Sequence, residues 1–167
     1  MNQLSAQVLR DLLSYDPKSG QLSWRFAHGR HGRIPAGPIS NRVDSYGYLR
    51  IQLDGLPCRA HRVCWMLTHG SWPVGDIDHI NGDRTDNRLC NLRDVDESTN
   101  MQNQRKPARN NTTGFLGVCL KRQGHPRWVA QLRIKGKTFH IGTFGSPEEA
   151  HAAYLAVKRV RHPGCTI

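Results

Sequence analysis

At 167 residues the chain has room for one domain or two small ones, and a hydrophobic share of 37% calls for a compact or divided core. No apolar run approaches the roughly 20 residues of a membrane span, and the start, MNQLSAQVLRDLL, is unlike a signal peptide, so a cytoplasmic protein is expected. The net charge of +11 is concentrated: residues 1–100 carry 12 Lys and Arg against 11 acids, whereas 101–167 carry 12 against Glu148 and Glu149 alone.

A basic final third on a near-neutral body is the footprint of a polyanion binder, and nucleic acid is favoured over a membrane surface. The basic third has no long amphipathic helix with Trp or Phe along one face, so no membrane partner is expected. Five cysteines, Cys58, Cys64, Cys90, Cys119 and Cys165, form no CxxC pair. A disulfide framework and a structural zinc site are therefore not expected.

In chain order, Leu4 to Leu13 repeats apolar residues at helical spacing, and YDPKSG (15–20) stops the helix. QLSWRF (21–26) alternates as a strand does, and residues 27–42 form an irregular basic loop rich in Gly, Pro, His and Arg. YGYLRIQLDG (46–55) alternates again, and Asp54-Gly55 turns it into a partner strand, LPCRAHR. RVCWMLT (62–68) suits a short buried helix closed by His69-Gly70. DIDHINGDRTDNRLCNL (76–92) follows, and then a polar helix from about Asp96 to Gln104.

KPARNNTTG (106–114) reads as a linker. Beyond it, FLGVCLKR, RWVAQLRIKG and KTFHIGTFG are three strand-like runs split by Gln123-Gly124 and Lys135-Gly136 turns. Ser146-Pro147-Glu148-Glu149 opens a helix with a capping box and Pro at its first position, and Ala150, Ala153, Tyr154 and Val157 form its apolar face. The fold class expected is α+β, ending in a three-stranded antiparallel sheet packed on one helix.

Residues 76–92 hold more polar side chains than a turn needs. Asn81-Gly82 suffices for a hairpin, yet Asp78, His79, Asp83, Asp86, Asn87 and Asn91 surround it. A carboxylate and an amide oxygen are hard ligands of the kind Mg²⁺ accepts, and a neutral imidazole beside them can take a proton from water attacking a phosphodiester. The base needs an orienting acceptor, for which Asn91 on the returning strand is placed. An EF-hand is excluded, because its ligand spacing and final Glu are missing. Asp83, Asp86 and Asn87 are expected to fix the loop, and His61 to be structural or a phosphate contact.

Residues 61–104 resemble the HNH endonucleases, small ββα-metal nucleases of phages and homing elements. The resemblance implies that Asp78 and Asn100 are metal ligands, that His79 is the general base, and that Asn91 orients it. The helical position that names the motif's last His is Asn100 here, as in related phage homing nucleases. Mg²⁺, Mn²⁺ or another divalent ion is implied.

On the middle strand of the basic region, Trp128, Ala130, Leu132 and Ile134 alternate with Arg127, Val129, Gln131, Arg133 and Lys135. Lys121, Arg122 and His140 lie on its neighbours. Arg and Gln on a twisted sheet can read guanine and adenine in the major groove of double-stranded DNA. Residues 117–154 are similar to the plant ethylene-response-factor (APETALA-type) DNA-binding domain through their GV step, W-x-A, IGTF and EEAHAAY. That resemblance places base contacts at Cys119, Lys121, Gln131, Arg133, Thr138 and His140. Cys119 and Thr138 stand at arginine-like positions, so the plant domain's sequence preference does not carry over.

The expected organisation is a nuclease domain over 1–105, a linker over 106–114 and a DNA-binding domain over 115–167. The expected function is metal-dependent DNA cleavage delivered by the terminal sheet, in a bacterial host cell if phage-encoded. The rival is a DNA-binding regulator with an inactive nuclease remnant. An RNA-directed enzyme is disfavoured, because the basic sheet lacks the stacked aromatics of single-strand readers. The oligomeric state is not legible from the residues.

Overall fold

The computed structural model describes residues 4–40, 42–53, 55–121 and 127–167. Asp54 of the expected Asp54-Gly55 turn, the expected Gln123-Gly124 turn and the candidate DNA contact Arg122 lie outside them. Helices and antiparallel sheets combine in an α+β fold. By their contacts the residues divide into two compact units, Met1–Asp96 and Glu97–Ile167.

The first unit opens with helix α1 (Ala6–Leu12), capped by Ser5, whose hydroxyl accepts from the Val8 amide. Where the Tyr15–Gly20 stretch was expected only to stop the helix, the chain passes directly into strand β1 (Leu13–Asp16). It turns over Asp16 and returns as β2 (Gln21–Trp24), which also pairs with β3 (Gly37–Pro38). Asp16 organises this turn by accepting from the Lys18 and Ser19 amides. A second sheet joins β4 (Arg42–Val43), β5 (Leu49–Leu53) and β6 (Leu56–Arg59).

The partner strand expected to run through LPCRAHR ends at Arg59, because Ala60 begins helix α2 (Ala60–His69). His61 is therefore helical. The helix closes on Gly70 in the left-handed conformation that glycine adopts without strain. Strands β7 (Asp76–His79) and β8 (Leu92–Val95) form an antiparallel pair in which Asp78 faces Arg93 and His79 faces Leu92. Leu9, Leu13, Leu22, Ile51, Val63, Cys64, Ile77 and Leu92 make one core from α1, the first two sheets, α2 and this pair. That core holds β7 with Ile77 inward.

The second unit begins with α3 (Glu97–Gln102). Its terminal sheet orders β9 (Val118–Lys121), β10 (Arg127–Ile134) and β11 (Lys137–Phe144) as β11-β10-β9, against helix α4 (Pro147–Arg161). Ser146 caps α4 through the Glu149 amide. Val118, Ala130, Leu132, Ala150 and Tyr154 form the core of this unit. Gly117 has to be glycine: a Cβ there would stand 2.1 Å from the Tyr154 ring, and its φ is +74°. No helix among the described residues is long and apolar enough to cross a membrane.

Candidate active site

The Asn81-Gly82 turn expected from the sequence forms, with Gly82 at φ +76° and its amide donating to the His79 carbonyl. Polar side chains hold the longer loop up to Leu89 in shape. Asn81 donates to Asp86 at 2.7 Å and accepts from the Asp83 amide, Asp83 accepts from Thr85, and Arg88 grips both oxygens of Asp86. That grip holds the Asp86 carboxyl at about 2, well below the usual carboxylate range. Asp83 and Asp86 are thus loop-fixing residues, as expected.

Asn91 and Asn87 exchange the parts the sequence assigned them. The Asn91 amide was expected to orient His79, yet its oxygen accepts from the Asn81 amide at 2.8 Å and its nitrogen donates to the Asp86 carbonyl at 2.8 Å. Both ends are occupied by the loop. The oxygen on the His79 ring belongs to Asn87, 3.2 Å from Nε2. An amide oxygen only accepts, so Nε2 carries the proton and the neutral ring has its lone pair on Nδ1.

Asn87 is held in turn from the first hairpin. The Tyr15 hydroxyl donates to the Asn87 carbonyl at 2.7 Å, and the Leu89 amide donates to the Pro17 carbonyl. Gly20 lies so close that a Cβ would meet the Arg88 nitrogen at 2.7 Å. Nothing in the local pattern of Tyr15 or Gly20 signals this role, because the contact spans more than 60 residues.

His79 is 3% exposed. Burial lowers its pKa, an effect opposed by the Asn87 bond and the adjacent Asp78. His61 stands edge-on to it at 5.1 Å between ring centres, and Tyr48 packs against both rings. Burial first, then the neighbouring His79, push His61 down to about 3. Its Nδ1 is buried without a hydrogen-bond partner. His61 is a neutral wall of the site.

Asp78 is buried, and Arg93 places Nε and Nη2 at 2.8 and 2.7 Å from its Oδ2. Among the described residues no three His, Cys, Asp or Glu side chains are placed so that together they could hold a metal ion. One carboxylate and amide oxygens fit a hard ion that keeps waters and substrate oxygens in its other positions, and do not fit a protein cage. Asn100 is a half-buried residue of α3. The end of that helix is tied to the chain's tail, where Gly164 donates to the Gln102 side chain and Thr166 to that of Asn103.

Residues 58–102 match the family model of the HNH endonuclease. This HNH segment contains Asp78, His79, Asn87, Asn91 and Asn100, and it supports a nuclease and a nucleic-acid substrate. A stretch of 49 residues is 47% identical to an AP2/ERF and B3 domain-containing transcription factor of Arabidopsis thaliana. It covers 29% of this chain and 13% of that protein. No solved structure matches the chain.

In the terminal sheet the alternation expected for β10 places Arg127, Gln131 and Arg133 outward, and all three are exposed. Across the strands Arg127 faces Lys121, Gln131 faces His140, and Arg133 faces Thr138. A register shift between Ala130 and Gln131 brings His140 opposite Gln131. Val129, expected on the outer face, is buried. Lys135 sits in the β10–β11 turn at φ +47° and is exposed.

Proposed function

We propose that the chain is a metal-dependent DNA endonuclease whose terminal sheet delivers it to double-stranded DNA. The observation that carries this reading is His79, held beside Asp78 on a hairpin within the HNH segment with Asn87 fixing its tautomer. In the neutral ring so fixed, Nδ1 accepts the proton of the attacking water, and the low pKa keeps the ring a base at neutral pH. Asp78, with Asn100 by its place in the motif, would hold a divalent cation such as Mg²⁺ or Mn²⁺, which supplies charge stabilisation at the phosphate and leaving oxygen. Asn91 supports the base indirectly, by shaping the loop that carries Asn87.

Cleavage is placed in residues 1–105 and delivery in 115–167, with 106–114 between them. The exposed row of Lys121, Arg127, Gln131, Arg133, Lys135 and His140 supports a sheet laid against DNA, in which Gln131 and Arg133 are the base readers. One metal site cuts one strand, so a double-strand break needs a dimer or two nicks.

The Arg93 grip on Asp78 favours a second reading, a DNA-binding regulator whose nuclease is silent. Supercoiled plasmid with Mg²⁺ or Mn²⁺ separates the two. Nicking by the wild type and its loss, by at least about 100-fold, in His79→Ala are expected. Undiminished nicking by His79→Ala would defeat the assignment, and tight DNA binding without nicking under any divalent ion would favour the regulator.

A further inference from the structure

The β4-β5-β6 sheet carries an arrangement that folding alone does not reward. Its register sets Arg42 opposite Arg50, and Arg50 opposite Arg59, so three guanidinium groups stand in one row across the sheet. All three residues are exposed. Like charges directly opposite one another destabilise a sheet. Among the described residues Arg59 meets a carboxylate, Asp44 at 3.5 Å, and neither Arg42 nor Arg50 has an ion pair.

The end of the row at Arg59 is built with care. Asp44 accepts from the Tyr46 and Tyr48 amides and so shapes the hairpin tip, leaving Tyr46 66% exposed. Arg59 lies 4.4 Å and Arg84 4.9 Å from the centre of the Tyr48 ring. Arg84, from the loop after β7, also donates to the Tyr46 carbonyl. Stacking on an aromatic ring holds a guanidinium in place while its N–H groups stay available to an anion. The Tyr48 ring is itself 5.8 Å from His79.

We infer that Arg42, Arg50, Arg59 and Arg84 form a phosphate-binding row that takes the backbone of the substrate strand and leads it to His79. Neighbouring strands stand about 4.8 Å apart, so the row offers cations at short, regular intervals to a ligand with repeated negative charge. Tyr46 at its end presents a ring on which an adjoining base can stack. The direction toward His79 rests on the nuclease reading. The affinity for a polyanion rests only on the row.

The test uses the full chain with His79→Ala as background, so that binding is read without cleavage, on a 20-bp duplex over a range of salt. Arg42→Gln with Arg50→Gln, and separately Arg59→Gln with Arg84→Gln, should each weaken binding about tenfold or more and flatten the salt dependence by about 0.9 per lost phosphate contact. Arg42→Gln with Arg50→Gln relieves like-charge repulsion, so its melting temperature without DNA should stay level or rise. Arg59→Gln with Arg84→Gln also loses the Asp44 pair and the Tyr46 carbonyl bond, and its affinity is read at a temperature well below its own melting point. In the His79-containing protein the same pairs should lower single-turnover nicking, and a neutral methylphosphonate beside the cut should slow the wild type but not Arg59→Gln with Arg84→Gln. Unchanged affinity and salt slope in both pairs would overturn the row. If the wild type fails to nick while the pairs still lose affinity and salt slope, the row stands and the nuclease reading falls.

Discussion

Asn87 shows how much one amide decides. Its bond to Nε2 favours the charged ring, so removing it should lower the already depressed pKa of His79 further. The acid limb of kcat/KM in the wild type should lie below the ordinary value of 6.5, and in Asn87→Ala it should move lower still. Loss of the fixed tautomer should cut the plateau rate by about 10–100-fold. A pH–rate profile of plasmid nicking reads both effects, and an upward shift of the limb would contradict the assignment. His61 gives a stability prediction. Its pKa in the fold is about 3, so the unfolded chain binds more protons below 6.5. The stabilisation is full above about 6.5 and is lost as the pH falls toward about 3, by up to ~1.4 kcal/mol per pH unit for one group. Thermal melts between pH 7 and 4 should show the fall, and His61→Phe, which keeps a ring beside Tyr48, should make it shallower.

The first hairpin is a buttress. Its strands are short, but β1 supplies the Tyr15 hydroxyl, and the turn after it supplies the Pro17 carbonyl and the bare backbone of Gly20, to the loop that carries Asn87. Gly20→Ala adds a Cβ 2.7 Å from the Arg88 nitrogen at φ +77°, so it should cost about 1–3 kcal/mol. The strain falls on Asn87 and Arg88, and nicking should drop more than the stability loss explains. Comparing the melting temperature with the nicking rate at 20 °C tests this, and an unchanged rate per folded molecule would remove the hairpin from the site. The amide exchange between Asn87 and Asn91 was not legible because both lie in one polar run, at spacings that allow either to reach the ring. The 3₁₀ turn at Leu89–Asn91 decides between them by aiming Asn91 back at the loop.

On the proposed reading, the charge division of the whole chain governs how it would meet nucleic acid. Residues 101–167 hold 12 Lys and Arg against two acids, so deleting 106–167 should weaken binding strongly and flatten its salt dependence. The tail adds a consequence that the sequence does not display. Gly164 and Thr166 hold the end of α3 through Gln102, Asn103 and Arg105, so the truncation also removes these ties from the helix end. Deleting only 163–167 should therefore raise hydrogen exchange in 97–105 while leaving the salt slope of DNA binding unchanged. An unchanged exchange rate would show that α3 stands without the tail.

Local chemistry was enough to find many of the elements, though not β1 or the start of α2. Side-chain alternation marks β2, β5 and β10, Ser146 caps its helix, and Asn81-Gly82 makes its turn, because each depends on neighbours a few residues away. The Asp78-His79 pair and the basic face of the terminal sheet were legible for the same reason. Which amide touches His79, what supports that amide, and that three arginines align across a sheet were decided only on folding. These depend on strand register and on contacts between Tyr15 and Asn87 or Arg42, Arg50 and Arg59, and register follows from how a shared core is filled rather than from any one segment.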